Sequence, residues 1–178
     1  MKDTFAFTIE IVVVLLLIAA IGATTLITAT YAQTSNPKEE LTFTTGLGEP
    51  YFEETGKITG QTEIGPNRTQ VTFTTNGTLN GNIEVTNIGD FVSVSKGNNL
   101  TFDQGQGIIA TKDGSETANY TIMAVGNVTQ EGKLVFQGAA AYSTNSTGQL
   151  TFLNNELGIF KGEADEGGNL VSTEWEWK

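Results

Sequence analysis

The residues that most often perform enzymatic chemistry are absent from this sequence. It contains no histidine and no cysteine, which excludes the usual general base, the Ser-His-Asp triad, thiolate nucleophiles, disulfide bonds and zinc–sulfur sites. Any chemistry would depend on carboxyl, amine, phenol or hydroxyl groups, or on a hard cation held by oxygen ligands. We therefore expect no cofactor, and we favour a non-enzymatic function.

Two acidic segments near the C-terminus have the residue types of a catalytic or metal site. Residues 163–169 contain three carboxylates and an amide, but the spacing of a calcium-binding loop is absent, so we interpret them as an exposed hairpin turn without a metal. Glu174 and Glu176 lie two residues apart on one strand face, where like charges are typical of the solvated side. No other part of the sequence forms a cleft around them, so we predict no catalytic residues.

The last strand predicts a large buried surface. Alternation with period two places both tryptophans on one of its faces and both glutamates on the other. We therefore predict that the tryptophan face is covered by the core. If the sheet closes, aromatic residues and alanines of neighbouring strands could surround a small apolar cavity on that face. The candidate ligand-lining residues are Tyr120, Phe136, Tyr142, Trp175 and Trp177. The alternative is a barrel filled by its own side chains.

The first 32 residues have the features of a routing signal. An apolar run at 11–23 follows Lys2 and is followed by Tyr31 and Ala32, a pattern typical of a secretory signal peptide cleaved after Ala32. The same segment is long enough to remain as an N-terminal hydrophobic helix crossing a bilayer of ~30 Å. In both cases we expect the rest of the chain outside the cytoplasm, either secreted or anchored to the outer face of the cytoplasmic membrane. Membrane contact would then occur only through this segment.

Glycosylation motifs support export independently. Six Asn-X-Thr sequons occur, at Asn67, Asn76, Asn99, Asn119, Asn127 and Asn145, whereas the composition predicts roughly three by chance. We expect N-glycosylation, and the alternative is a surface rich in asparagine and threonine without glycans.

The net charge is −11 with a single arginine, so a basic stripe is missing and we expect no nucleic-acid partner.

After a polar linker at 33–50, the sequence predicts a β domain at 51–178. Short runs rich in Thr, Val and Phe alternate with turns that contain Gly and Asn. The predicted strands lie near 51–64, 69–76, 82–87, 90–96, 100–111, 116–129, 132–144, 158–165 and 170–177. The predicted turns lie at Asn76-Gly77, Asn80-Gly81, Gly97-Asn98, Asp113-Gly114, Glu131-Gly132 and 166–168. A short helical turn is expected at 148–158, with Leu150, Leu153 and Leu157 plugging one end of the sheet.

Eight or nine strands at hairpin spacing must protect their edges, and closing the sheet does so. We therefore predict an all-β fold, an antiparallel up-and-down barrel of eight (8–9) strands preceded by the N-terminal hydrophobic helix. A flattened two-sheet sandwich is the alternative. Five glycines inside predicted strands favour sharp bending at barrel corners, and they are Gly105, Gly107, Gly126, Gly138 and Gly162.

Several segments carry a resemblance to known proteins. Residues 104–116, 132–144, 150–160 and 174–177 resemble a family of small, uncharacterised, secreted prokaryotic β-barrel proteins. More distantly, the Gly-rich meander is similar to the calycin-like barrel of allene oxide cyclases and dirigent proteins. The signal ending in Tyr31-Ala32-Gln33 resembles those of ammonia-oxidising archaea. The resemblance implies a closed barrel, and no catalytic residue of the cyclases can be placed on this chain.

Three functions follow from these observations. We favour an envelope-associated or small hydrophobic ligand-binding protein without enzymatic activity. The first alternative is a cyclase- or isomerase-type enzyme acting on a hydrophobic small molecule, with Tyr120 or Tyr142 as the polar group inside the barrel. The second is a structural subunit that pairs through a sheet edge into a cell-surface assembly.

Overall fold

The computed structural model describes residues 46–178, which form a closed barrel of eight antiparallel strands in chain order. The strands are β1 (Phe52–Gly65), β2 (Arg68–Leu79), β3 (Ile83–Gly97), β4 (Leu100–Thr111), β5 (Thr117–Val128), β6 (Leu134–Ser143), β7 (Leu157–Ala164) and β8 (Asn169–Glu176). The barrel closes where β1 pairs with β8. The predicted eight-stranded up-and-down barrel is thus confirmed. The predicted signal or anchor at 1–32 lies outside the described residues, as does the linker up to residue 45.

Strand β3 replaces two predicted strands, and the turn predicted at Asn76-Gly77 is wrong. Gly77 lies inside β2 and pairs with Val85, and β3 continues unbroken through Gly89. Both glycines provide space for an interior ring. A Cβ atom at Gly77 would lie 2.6 Å from the Phe52 ring, and one at Gly89 would lie 2.6 Å from the Phe73 ring. These glycines therefore serve packing and not chain reversal, a distinction that local composition does not encode.

The other predicted turns are confirmed as hairpin connections. Asn80 and Gly81 link β2 to β3 with φ angles of 49° and 73°, the left-handed conformation that these residue types tolerate best. The remaining turns fall between β3 and β4, β4 and β5, β5 and β6, and β7 and β8.

A short helical segment closes one end of the barrel. The connection between β6 and β7 contains a 3₁₀ helix at Thr151–Leu153, and the side chains of Leu150 and Leu153 are fully buried beside Phe52 and Ile109. The prediction of a helical plug is correct for these two leucines. It is wrong for Leu157, which begins β7 and is 39% exposed. Among residues 46–178, no helix has the length and apolar character needed to cross a membrane.

The faces of the last strand are reversed relative to the prediction. Glu174 is 5% exposed and lies against the interior, whereas Trp177 is 55% exposed. Trp175 is buried but lies on the outer side, where the Lys161 ammonium is 5.5 Å from its ring centroid. Interior tyrosines hydrogen-bond the Glu174 carboxyl, which compensates for its removal from water. The period-two alternation is as predicted, and the error lies in which face was taken to be buried, because charge alone does not show that the Tyr51 and Tyr142 hydroxyls satisfy Glu174.

Candidate ligand-binding cavity

The barrel encloses a cavity of about 70 Å³. A single water needs ~10–15 Å³, so the space suffices for several waters or one small molecule. Its walls combine aromatic rings with polar groups. The apolar walls include Phe73, Phe91, Ile122, Phe136 and Phe160, and the polar ones include Glu54, Asn87, Asp103, Tyr120, Tyr142 and Glu174.

The two ends of the cavity differ in their exposure. Near the 3₁₀ plug, Leu79, Ile109 and Leu150 have no exposed surface. Toward the opposite end, where the hairpins β1–β2, β3–β4, β5–β6 and β7–β8 turn, the lining residues Phe91 and Leu134 are partly exposed. The end at which these four hairpins turn is therefore the more exposed end of the cavity.

Aromatic rings inside the barrel pack directly against glycines of neighbouring strands. Because the rings lie close to the wall, the centre of the barrel stays open. Tyr120 lies over Gly107, so that a Cβ atom there would overlap the phenol ring. The Phe160 ring lies against Gly138 and the Phe136 ring against Gly162, each within 2.7 Å of a hypothetical Cβ. The strand glycines that we interpreted as bending points thus also determine the shape of the cavity wall.

Glu174 forms the first of two polar networks inside the barrel. Its Oε1 accepts a hydrogen bond from the Tyr51 hydroxyl at 2.6 Å, and its Oε2 accepts one from the Tyr142 hydroxyl at 2.9 Å. Burial raises the pKa of Glu174 to about 8, although the two tyrosines oppose that shift. The raised pKa favours the protonated form of this carboxyl near neutral pH, and a general acid or base works best when its pKa lies near the working pH. Burial and the neighbouring carboxyl raise the pKa values of Tyr51 and Tyr142.

Glu54, Asn87 and Tyr120 form the second network. The Tyr120 hydroxyl donates to Asn87 Oδ1 at 2.7 Å, and Asn87 Nδ2 donates to Glu54 Oε2 at 2.8 Å. The Thr75 hydroxyl donates to the same carboxyl oxygen. Burial raises the pKa of Glu54, while the donors from Asn87 and Thr75 lower it. This chain of donors fixes the orientation of the carboxyl group in the cavity wall.

Asp103 is the third interior carboxyl, and it is incompletely satisfied. Its Oδ2 accepts a hydrogen bond from the Thr101 hydroxyl at 3.1 Å. Its Oδ1 is the one buried side-chain nitrogen or oxygen in the described part of the chain without a hydrogen-bond partner. Only 4% of the residue is exposed. Burial raises its pKa, while hydrogen bonding to the Ser93 and Thr101 hydroxyls lowers it.

The structure separates the five predicted lining residues into two groups. Tyr120, Phe136 and Tyr142 lie in the cavity wall, and Trp175 and Trp177 do not. Sequence reasoning missed the interior carboxyls of Glu54, Asp103 and Glu174. The alternation of side chains along a strand could have indicated two of them. Glu54 lies on the same strand face as Phe52, and Asp103 lies on the same face as Ile109.

The acidic segment at 163–169 spans the turn between β7 and β8. Asp165 accepts hydrogen bonds from the backbone N–H of Asn169 at 2.9 Å and from its side-chain amide at 2.7 Å. These bonds lower the pKa of Asp165. Within residues 46–178, no three acidic side chains are grouped so as to hold a metal ion.

The six sequon asparagines share one property, which is that all are exposed. Asn67 and Asn99 lie in turns with φ angles of 59° and 63°, and Asn145 lies in the connection between β6 and β7. Asn76, Asn119 and Asn127 lie on the outer faces of strands. No sequon would have to be buried in order for the barrel to form.

No family model and no curated protein matches this chain. Similar folds occur among solved structures. The chain is similar to a conserved protein of unknown function from Rhodopseudomonas palustris, with 14% identity and a TM-score of 0.58 over 72% of this chain and 94% of that one. It is also similar to a protein of unknown function from Clostridium acetobutylicum, with 13% identity and a TM-score of 0.61 over 73% and 98%. At these identities the likeness concerns the fold alone, a small barrel shared with uncharacterised proteins.

Proposed function

We propose that the protein is a non-enzymatic binding barrel that holds one small, mainly apolar molecule in its lumen. The observation that carries this proposal is the cavity of about 70 Å³, in which aromatic walls converge with a few fixed polar groups. Binding sites for small molecules typically combine an apolar lining with a few well-placed polar groups. Because the cavity is small, the ligand has few non-hydrogen atoms.

The polar groups support binding better than catalysis. Asn87 is hydrogen-bonded to both Tyr120 and Glu54. Tyr51 and Tyr142 are both hydrogen-bonded to Glu174. Groups held in this way present a rigid surface to a ligand, and rigidity in the free protein lowers the entropic cost of binding.

Native mass spectrometry of the protein from its own cells tests the proposal. We expect a small organic mass that is present under native conditions and lost on denaturation. Ala140 lies in the cavity wall and is 1% exposed, so Ala140→Leu fills the space, whereas Ala141→Leu on the outer face of the same strand is the matched control. Only the first should abolish the bound mass. Protein without any bound mass, or equal loading of both variants, would contradict the proposal.

A second candidate is an isomerase- or cyclase-type enzyme, which the raised pKa of Glu174 favours. A carboxyl with a pKa of about 8 inside a partly apolar cavity has the properties of a general acid at neutral pH. Glu174→Gln separates the two candidates, because the amide keeps the shape and hydrogen-bonding oxygen of the side chain but cannot transfer a proton. If a molecule that binds is also converted, conversion should stop in this variant while binding persists.

We further propose that the barrel is exported and N-glycosylated. The apolar segment at 11–23, the six sequons and their uniform exposure support this proposal. The intact mass of protein from its native cells should exceed the mass of the bare polypeptide, both with and without residues 1–32. Thr121→Val removes the Asn119 sequon on an exposed strand face and should lower the mass by one glycan. A mass equal to either bare chain would contradict glycosylation.

A further inference from the structure

One edge of strand β1 is open within the described part of the chain. Strand β8 pairs with β1 only over residues 52–57, and the Ile58 N–H then donates to the Gly168 carbonyl oxygen at 2.9 Å in the β7–β8 turn. Beyond this point β1 continues to Gly65, and among the described residues it pairs there with β2 alone. Residues 61–64 are all exposed, so the tip of the β1–β2 hairpin projects past the start of β8.

The hydrogen bonds at the two ends of β2 show which way its backbone groups point. The Asn67 carbonyl oxygen accepts a hydrogen bond from the Ser95 N–H of β3 at 2.9 Å, and the Asn80 N–H donates to Tyr51, just before β1, at 2.6 Å. Successive residues of a strand direct their backbone groups to opposite sides. Odd-numbered residues of β2 therefore point toward β3, and even-numbered residues point toward β1.

This alternation identifies the backbone groups on the open edge of β1. Gln61 lies opposite Val71, and Glu63 lies opposite Thr69. Directly opposite residues of an antiparallel pair either hydrogen-bond each other or both direct their backbone groups away. Because Val71 and Thr69 point toward β3, the N–H and C=O groups of Gln61 and Glu63 point outward, away from β2. They are available to another strand.

Two β-bulges limit the length of this edge. The register of β1 against β2 shifts between Ile58 and Gly60 and again between Glu63 and Gly65. The regular stretch at 60–64 is thus about 17 Å long at ~3.4 Å per residue. Bulges and charges are the features that natural proteins use to restrict pairing at open edges. This edge has one charged residue, Glu63, so it allows a short pairing and disfavours a long one.

The stretch is complementary to itself. In an antiparallel pair of two copies centred on Thr62, Gln61 of each copy lies opposite Glu63 of the other, and their outward backbone groups exchange hydrogen bonds. The Gln61 amide can also donate to the facing Glu63 carboxylate, which is a charge-assisted hydrogen bond. The two Thr62 side chains lie side by side, a favourable cross-strand pair. A pair centred on Glu63 would instead place two carboxylates opposite each other, which is destabilising.

We propose that residues 60–64 of β1 form an interaction surface for a second copy of this chain, paired antiparallel about a two-fold axis at Thr62. Each copy then uses its edge on the other, so assembly stops at a dimer. A stretch this short buries less than the ~800 Å² per partner of a typical stable complex, and the dimer is therefore weak and reversible. The Asn67 sequon lies in the adjacent turn, outside the paired stretch.

Single cysteines test this pairing directly, because the chain has none of its own. In the Thr62→Cys dimer the two Cα atoms at this position would be about 4.5 Å apart, as in a non-hydrogen-bonded pair, which is within the range for a disulfide. The control is Thr72→Cys, at an exposed position of β2 in the same hairpin. In the proposed dimer its two copies are separated by three strand spacings, ~14 Å in all, too far for a disulfide.

The purified full chain carrying each cysteine is oxidised mildly, and its mass is measured after denaturation without reductant. We expect Thr62→Cys to form a species of twice the chain mass about tenfold faster than Thr72→Cys. Adding Gln61→Pro to the Thr62→Cys chain removes an outward N–H and leaves the hydrogen bonds to β2 intact. This second change should slow cross-linking about tenfold, because a hydrogen bond is lost on each side of the axis.

Equal cross-linking rates for Thr62→Cys and Thr72→Cys would overturn the proposal, because they would show collision or association through another surface. An unchanged rate after Gln61→Pro would overturn it as well. Should the chain with Gln61→Pro fail to fold, the ratio of the two single-cysteine rates still decides. The cross-linking does not involve the cavity, so its failure would leave the proposed binding function standing.

Discussion

The Tyr142 hydroxyl donates a hydrogen bond to Glu174 Oε2 at 2.9 Å, with both residues buried inside the barrel. The two residues lie on β6 and β8, on opposite sides of β7, where Gly158 leaves room for the Glu174 carboxyl group. A Cβ atom at Gly158 would overlap the Glu174 carboxyl group. The contact thus depends on a glycine in the intervening strand, and it allows a carboxyl group to occupy a position where an apolar residue would be expected.

The raised pKa of Glu174 predicts that stability falls as pH rises. A carboxyl whose pKa is raised on folding binds its proton more tightly in the folded state, so its contribution is fully present below its ordinary pKa of 4.5 and is lost as pH rises through about 8. The slope contributed by one such group is at most ~1.4 kcal/mol per pH unit. The raised pKa of Glu54 acts in the same direction.

Urea denaturation at several pH values measures this effect. Glu174→Gln should flatten the decline of the unfolding free energy between about pH 5 and about pH 8. Glu176→Gln, a half-exposed position two residues away, should leave the decline unchanged. Identical pH profiles for Glu174→Gln and the unmodified protein would show that Glu174 is not the group responsible.

The fold was predictable from the sequence to a greater extent than the cavity. Hairpin spacing and turn residues such as Asn80 and Gly81 are local signals, and they sufficed for the barrel and for most strand bounds. The merging of two predicted strands into β3 was not predictable, because Gly89 serves the Phe73 ring across the sheet. Glu174 was assigned to the solvent because the donors that satisfy it, Tyr51 and Tyr142, come from distant parts of the chain.

Gly107→Ala is expected to destabilise the barrel through its contact with Tyr120. A methyl group at this position would overlap the Tyr120 ring and approach the Ile88 carbonyl oxygen to 2.8 Å. Overpacking of this kind costs about 1–3 kcal/mol, measured as the free energy of unfolding in urea. Gly167→Ala in the β7–β8 turn is the matched control, since its nearest neighbours are 3.2 Å and 3.4 Å away. If both variants lost a similar amount of unfolding free energy, the contact between Tyr120 and Gly107 would not be the cause.

The two tryptophans should differ strongly in their contribution to stability. Trp175 is 6% exposed and Trp177 is 55% exposed. Trp175→Ala is therefore expected to cost ~3–5 kcal/mol, and Trp177→Ala less than about 1 kcal/mol. Fluorescence provides an independent measurement, because Trp177→Phe leaves only the buried ring and Trp175→Phe only the exposed one. The first variant should emit at shorter wavelength, and equal emission maxima would contradict the assigned environments.

Glu116 is expected to hold the 3₁₀ plug in place. Its carboxylate oxygens accept hydrogen bonds from the backbone N–H groups of Gln149 at 2.9 Å and Leu150 at 2.8 Å. Glu116→Ala leaves both donors without this partner, which should lower the unfolding free energy by about 1–3 kcal/mol and accelerate hydrogen exchange at both amides.

Glu84→Ala is the matched control for the plug, because it removes an exposed carboxylate whose partner is Lys112. An exposed ion pair contributes at most ~1 kcal/mol, and its loss does not alter the backbone of the plug. Hydrogen exchange at Leu150 should therefore remain slow in this variant and become fast in Glu116→Ala. Because Leu150 and Leu153 close that end of the barrel, a fast rate in Glu116→Ala alone would identify this carboxylate as the anchor of the closed end. Unchanged exchange would assign that role to leucine packing.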